Sequence, residues 1–162
     1  MRKMDSDGLL LCEMQAELFE KSLTRFSCSS EIFIRRFTNS QIVKIFDNKA
    51  ILDDSYSVSA ILDELNDEYK ELTYGSVKYS KNEMYWMGYI YRYFCYTYEF
   101  SMKRVYKIIK PKELRSLYLS YHTLSCDNAI ERILESKNLD FSEDVMTRKG
   151  VDILRRIKIK NS

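Results

Sequence analysis

The chain has 162 residues, of which 45% are apolar, with only four glycines and one proline. This length suits one domain with a substantial core, and the scarcity of Gly and Pro favours helices over a turn-rich β architecture. The net charge of +2 is too small to indicate nucleic-acid binding by itself. We therefore expect an all-α protein, with a single helical domain over 1–140 and a basic, partly helical tail over 141–162.

Apolar residues recur at three- and four-residue spacings through the first half of the chain, which is typical of amphipathic helices. The pattern predicts a helix over 9–26, a second over 31–37 with Ser30 as its N-cap, and a short third helix beginning at residue 39 or 40. A fourth helix is expected after Ser57, with an acidic, solvated outer face. Residues 77–79 are the segment whose pattern fits a short extended stretch.

The clearest local signal is Ser80 followed three residues later by Glu83, which is the pattern of a capping box. It predicts the start of a long helix over 80–100, around which we expect a compact bundle of about six to seven helices. Gly88 lies within this helix and costs about 1 kcal/mol relative to alanine. A glycine at such a position indicates that a neighbouring backbone passes close to it.

The long helix carries six tyrosines between residues 84 and 98, and Arg92 is the only charged residue in that interval. Two of its faces are apolar enough for a core, whereas the third combines tyrosine with arginine, a composition enriched at binding hot spots. One interpretation is a partner-binding face comprising Tyr85, Tyr89, Arg92, Tyr96 and Glu99. The alternative is a core helix whose hydroxyls bond internally and whose arginine pairs with Glu99 or with an acid of another helix.

A basic cluster surrounds Pro111, where one helical segment ends and the next begins. A second interpretation of the chain, as a nucleic-acid-binding regulator, rests on this cluster and on the tail. From Arg148 onward the tail has six basic residues and one acid, which leaves −3 for the rest of the chain. Such a tail contacts nucleic acid or an acidic partner, or is a solvated terminus. The candidate residues are Lys103, Arg104, Lys107, Lys110, Arg115, Arg155 and Arg156.

The sequence contains none of the common motifs for catalysis, nucleotide binding or metal binding, such as GxGxxG, GxxxxGK[ST], HExxH or CxxC. The single histidine, His122, lies in a connector, where a hydrogen bond to a helix end is more common than catalysis. Four dispersed cysteines indicate free thiols in a reducing cytosol rather than disulfides or a zinc site. We expect a cytoplasmic, non-enzymatic protein without metal, cofactor, signal peptide or membrane span.

Three segments resemble a family of small Firmicutes proteins: KYSKNEMYWMGYIYRYFCYTYE at 78–99, YKIIKPKELR at 106–115, and YHTL at 121–124 followed by AIERI at 129–133. Genes of that family lie beside short helical proteins and ADP-ribosyltransferase-like proteins, in cassettes that resemble toxin–antitoxin modules. Members often have proline at two places that here hold Ser120 and Cys126. The resemblance, over 30–134, implies an antitoxin-like protein that binds a toxin-like enzyme. A phage- or mobile-element-encoded inhibitor of a bacterial defence enzyme also fits the composition.

Overall fold

The computed structural model describes residues 1–53, 56–70 and 73–160, without the side chains of 143–149 and 152. Ten α-helices and one 3₁₀ turn (Ala50–Leu52) occur within those ranges, and no strand does. The helices are α1 (Ser6–Arg25), α2 (Ser30–Thr38), α3 (Gln41–Asp47), α4 (Val58–Tyr69), α5 (Lys81–Tyr98), α6 (Met102–Ile108), α7 (Pro111–Ser116), α8 (Tyr118–Tyr121), α9 (Cys126–Ser136) and α10 (Glu143–Lys160). The predicted all-α fold is confirmed, with more helices than the six to seven expected because the chain between α5 and α9 divides into three short ones.

The start of α5, the central helix, is fixed by the predicted capping box. The Ser80 hydroxyl accepts from the amide of Glu83 at 3.2 Å, and the Glu83 carboxylate accepts from the amide of Ser80 at 3.0 Å. The helix ends at Glu99, whose backbone is left-handed with φ 55°. Ser101 then caps α6 by accepting from the Arg104 amide. Because of this turn, α6 is a separate helix and not an unbroken continuation of α5.

The helices α1 and α5 pack closely at Gly88, as the sequence predicted. A Cβ added to Gly88 would lie 2.7 Å from the carbonyl oxygen of Gln15 and 2.9 Å from the Cα of Ala16. Real Cβ atoms essentially never approach other atoms within 3.0 Å, so only glycine permits this distance. The side-chain amide of Gln15 also donates to the carbonyl oxygen of Gly88 at 3.1 Å. This crossing fixes the position of α1 along α5.

Phenylalanines from α1, α2 and α3 form the aromatic part of the core. Phe19 meets Phe33 and Phe37 edge-to-face, with ring centroids 5.6 and 5.5 Å apart. Phe37 meets Phe46 in the same way at 5.7 Å. Such pairs contribute about 0.5–1.5 kcal/mol each beyond the area that they bury. Elsewhere on α5 the hydroxyl of Tyr91 donates to the carbonyl oxygen of Ile109 at 2.8 Å, which satisfies a buried tyrosine inside the core.

The structure corrects one predicted cap, that of α2. Ser29, and not Ser30, caps α2, since its hydroxyl accepts from the Ile32 amide at 3.2 Å. The Ser30 hydroxyl instead accepts from the amide of Tyr79 at 2.9 Å. Residues 77–79 lie outside helices and strands, and the carbonyl oxygen of Val77 accepts from the backbone amide of Ser30 at 3.0 Å.

The four cysteines are free thiols, as their spacing predicted. Cys12, Cys28 and Cys95 are buried, and Cys126 is half-buried. Burial raises the pKa of Cys12 and the pKa of Cys95 to about 12 each, so both thiols stay protonated at neutral pH.

Across the described ranges, we find no helix that combines the length and the apolar character needed to cross a membrane.

Candidate functional site

Arg92 is a core residue, and the expectation that it lies on an exposed aromatic face is wrong. Its side chain is 2% exposed. Its Nε donates to Oε1 of Gln15 at 2.7 Å, and its Nη1 donates to Oδ1 of Asp47 at 2.8 Å. The guanidinium lies over the ring of Phe46, 5.4 Å from the centroid. The alternative interpretation, in which the arginine pairs with an acid of another helix, is therefore confirmed.

Asp47 links the arginine to a further helix. Besides Arg92, its carboxylate accepts from the backbone amide of Met102, in the first turn of α6, at 3.1 and 3.3 Å. Burying a charge is costly unless it is paired and hydrogen-bonded, so Gln15 and Asp47 together explain why Arg92 can lie in the core. One donor is left over. Among the described residues, Nη2 of Arg92 is the only buried side-chain nitrogen or oxygen without a hydrogen-bond partner.

Tyr96 is also buried, at 5% exposure, which corrects its assignment to an exposed face. Its hydroxyl donates to Oδ1 of Asp5 at 2.5 Å. Burial and this hydrogen bond raise the pKa of Tyr96 to about 12, and the same bond lowers the pKa of Asp5. The guanidinium of Arg2 and the ammonium of Lys49 lie 4.4 and 5.3 Å from the centroid of the Tyr96 ring. Glu99, in contrast, is exposed where α5 ends.

A cavity of about 680 Å³ lies beside Arg92 and Tyr96, and we call it the Arg92 pocket. Its charged lining residues are Arg2, Lys44, Asp47, Lys49, Arg92 and Glu99. The four cations outnumber the two carboxylates, but Asp47 pairs with Arg92, and Arg2 lies 3.9 Å from Asp5. Among the charged lining residues this leaves Lys44 and Lys49 against Glu99. The volume falls within the range of small-molecule sites. The pocket is therefore a concave site with more cations than carboxylates and with enough volume for a small organic molecule.

Tyr85 and Tyr89, at the other end of the predicted face, lie in a different place. They line a shallow groove of about 290 Å³, which we call the aromatic groove, together with Glu20, Asn82, Trp86, Tyr118 and His122. Tyr85 and Tyr89 stack with centroids 6.5 Å apart, and Trp86 meets Tyr118 edge-on at 5.7 Å. Tyr118 in turn stacks on His122 at 4.5 Å. The predicted face thus divides between two sites that share no lining residue.

The tyrosines of the aromatic groove are partly accessible and stay protonated. Tyr85 is 39% exposed, and Tyr89 is half-buried. Burial raises the pKa of Tyr89 to about 12. Burial, aided by the carboxylates of Glu13 and Glu20 on α1, also raises the pKa of Tyr85. Both hydroxyls can therefore donate hydrogen bonds at neutral pH, beside an acidic border supplied by α1.

Sequence reasoning did not place Trp86, Tyr118 and His122 beside Tyr85 and Tyr89. A helical-wheel projection of α5 assigns Trp86 to a neighbouring face and contains no information about α8. The predicted helix-end bond of the histidine is confirmed, because its Nδ1–H donates to the carbonyl oxygen of Tyr118 at 2.7 Å. The available signal for this part of the groove was the YHTL segment, which places a histidine just after a short helix that carries tyrosine.

The basic residues around Pro111 are exposed, but three of them already have partners. Arg104 lies 3.5 Å from the ring centroid of Phe100. Nε of Arg115 donates to Oε2 of Glu83 at 2.9 Å. Nζ of Lys110 lies 4.4 Å from the ring centroid of Tyr106. Among the described residues, no partner is found for the other two exposed lysines of the cluster, Lys103 and Lys107. The structure therefore leaves a smaller basic surface than the sequence suggested.

Arg155 and Arg156 lie on α10, so the tail is helical and the helix continues through Gly150. Both arginines are exposed. Of the side chains described on the same helix, the exposed large apolar ones are Val151, Ile153, Leu154, Ile157 and Ile159. A helix that exposes apolar and basic side chains together is typical of an interaction element. The last two residues of the predicted tail, 161–162, lie outside the described residues.

Within the described ranges, no group of three or more His, Cys, Asp or Glu side chains is arranged to hold a metal ion. The aromatic groove and the Arg92 pocket are the two concave sites that contain the residues predicted on α5. No protein-family model matches the chain, and no curated protein or solved structure is significantly similar to it.

Proposed function

We propose that this chain is a non-enzymatic protein-binding module that contacts its partner through the aromatic groove. The observation that carries the proposal is the grouping of Tyr85, Trp86, Tyr89, Tyr118 and His122 in one accessible groove. Tyrosine and tryptophan are enriched at binding hot spots because their rings bury a large area at a small entropic cost while retaining a polar group. The groove is built on helices, which hold these rings in place before a partner arrives.

The chemistry of the groove indicates what its partner presents. The rings and the 290 Å³ volume suit one or two apolar side chains, and the protonated hydroxyls of Tyr85 and Tyr89 suit acceptor oxygens. The glutamates along α1, Glu13 and Glu20, attract basic residues at the margin of the contact. The complementary surface is therefore an apolar projection flanked by lysine or arginine.

The family resemblance supplies the class of partner, a toxin-like enzyme related to ADP-ribosyltransferases, which this antitoxin-like chain would neutralise or assist. We place the complex in the cytoplasm, since four free thiols suit a reducing compartment. A phage- or mobile-element-encoded inhibitor of a bacterial defence enzyme would use the same groove. The identity of the enzyme that binds distinguishes these two roles.

Co-purification with the product of the neighbouring gene tests the proposal, using the double substitution Tyr85→Ala and Tyr89→Ala. Two truncated hot-spot aromatics weaken binding by at least about 100-fold. Tyr74→Ala is the matched control, because Tyr74 is 75% exposed and does not line the groove. Unchanged affinity of a folded double variant would contradict the proposal. Arg92 and Tyr96 do not serve this purpose, since substituting them disturbs the core.

A nucleic-acid-binding regulator is the second candidate function. The observation that favours it is the exposure of Lys103 and Lys107, one helical turn apart on α6, together with the exposed Arg155 and Arg156 of α10. Contacts of lysine and arginine with phosphates weaken steeply as salt rises. Mobility shift on the chain's own promoter DNA and on RNA at low salt tests this function. The nucleic-acid-binding function is excluded if neither DNA nor RNA is shifted at low salt and the variant with Lys103→Ala and Lys107→Ala behaves like wild type.

A further inference from the structure

The Arg92 pocket contains a buried cation whose hydrogen-bonding capacity is only partly used. Nε and Nη1 of Arg92 donate to Gln15 and Asp47, whereas Nη2 has no acceptor. A buried donor that loses its bond to water and gains none in return is unfavourable, and more so when it is charged. Nη2 has less than 1 Å² of accessible surface, so an oxygen atom brought by a ligand would supply the missing acceptor once the atoms that cover Nη2 move aside.

The charges around the pocket indicate the sign of that ligand. Arg2, Lys44 and Lys49 line the same cavity as Arg92. Arg2 and Lys49 both lie over the ring of Tyr96, and Arg2 also lies 3.9 Å from the carboxylate of Asp5. Bringing like charges together costs free energy, which a bound anion recovers. Asp47 repels such an anion little, because its carboxylate accepts from Arg92 and from the Met102 amide. Glu99 also lines the pocket, so the anion is expected on the side of Lys44 and Lys49.

The size and the walls of the pocket indicate more than an inorganic ion. At about 680 Å³ it has the volume of a site for a small organic molecule. Leu11, Phe46 and Phe100 contribute apolar wall next to the cations. Several cations around one cavity favour a doubly charged group with three terminal oxygens, which a phosphate ester provides and a carboxylate does not.

We infer that the Arg92 pocket is a binding site for a small phosphate-bearing organic molecule. The phosphate lies between Lys44, Lys49 and Arg92, and the organic part lies against the apolar wall. This site shares no lining residue with the aromatic groove, so the phosphate-binding proposal does not depend on the proposed protein partner.

Titration of the full chain with simple phosphates tests the inference. The probes are inorganic phosphate, and AMP, glucose 6-phosphate and phenyl phosphate with their dephosphorylated counterparts. We expect at least one organic phosphate to bind more tightly than inorganic phosphate, to shift the guanidinium nitrogen resonances of Arg92, and to bind more weakly as salt rises. The dephosphorylated counterparts should bind at least about tenfold more weakly.

Substitution of the two accessible lysines provides the second arm. Lys44→Gln with Lys49→Asn should raise the Kd of the bound phosphate by at least about tenfold, since both cations are lost. Asparagine suits the left-handed backbone of Lys49, at φ 63°. Lys81→Gln, at an exposed lysine outside the pocket, is the control and should leave the Kd unchanged. The inference is overturned if none of the phosphates binds at concentrations up to about 10 mM, which would detect a weak site. It is also overturned if the dephosphorylated compounds bind equally well, or if the double variant binds like wild type.

Discussion

Replacing Gly88 with alanine tests the close packing of α1 on α5. In an isolated helix this change is favourable by about 1 kcal/mol, because alanine has a higher helix propensity than glycine. Here the new Cβ would lie 2.7 Å from the carbonyl oxygen of Gln15 and 2.9 Å from the Cα of Ala16. Both are backbone atoms and cannot rotate away, so the two helices must separate.

The expected cost follows from these two opposing effects. Overpacking a core costs about 1–3 kcal/mol, and occasionally more when backbone must move. A helix that is displaced also strains the hydrogen bond from Gln15 to the carbonyl oxygen of Gly88. Because backbone atoms must move, we take the upper part of this range, about 2–3 kcal/mol, and subtract the propensity gain of about 1 kcal/mol. We therefore expect Gly88→Ala to lower the free energy of unfolding by about 1–2 kcal/mol. For a chain of this size, that corresponds to a fall in Tm of about 2–8 °C.

Urea and thermal unfolding, followed by circular dichroism at a helix band, measure the change. Gly150→Ala is the matched control, since a Cβ at Gly150 meets nothing within 4 Å and the residue lies inside α10. It should leave Tm unchanged or raise it slightly. If Gly88→Ala were as stable as wild type, the close approach of the two backbones would not exist in solution.

Three further predictions concern the polar network, the capping box and the thiols. Asp47→Asn leaves Arg92 without its carboxylate and should cost about 3 kcal/mol in urea unfolding, the lower end for a broken buried pair because Asp47 is 22% exposed; unchanged stability would refute the pairing. Partial burial raises the pKa of Glu83, but hydrogen bonds from the Ser80 amide and from Arg115 outweigh this effect and bring the pKa below its usual 4.5. A carboxylate whose pKa is lowered in the folded state stabilises the fold at pH above its unfolded-state pKa, and this stabilisation is lost as the pH falls through its folded-state pKa. The Tm difference between wild type and Glu83→Gln should therefore shrink below about pH 4.5; a difference that stays constant with pH would argue against the lowered pKa. Burial holds the pKa of Cys126 at about 11 and those of Cys12 and Cys95 at about 12, so a thiol reagent such as DTNB should label the native protein slowly at pH 7 and all four cysteines rapidly in urea; fast native labelling would contradict the buried assignment.

The features that sequence reasoning predicted correctly are those with a local cause. The capping box of Ser80 and Glu83 needs only residues three apart, and Gly88 signals a close neighbour by its own cost in a helix. The all-α fold follows from composition and periodicity in the same way. These signals do not depend on how the helices are arranged in space, and for that reason they could be read without the structure.

The burial of Arg92 could not be predicted in this way, because its partners are distant in sequence. Gln15 is 77 residues away and Asp47 is 45 residues away. Periodicity indicates which residues share a face of α5, but not which neighbouring helix covers that face. One available signal was Gln15 itself, a polar residue on the same face of α1 as Leu11 and Leu18, where a buried partner is required.

The crossing of α1 and α5 also has a consequence for how the chain is made. Gln15 and Gly88 are 73 residues apart, so the side of α1 that faces α5 has no partner until the ribosome has synthesised and released α5, although Phe19 can already pack on Phe33 and Phe37 of α2. During that interval Gln15 and Ala16 remain uncovered, and contacts of such long sequence separation form slowly. A nascent chain that ends before α5 is complete should therefore require a chaperone or be degraded.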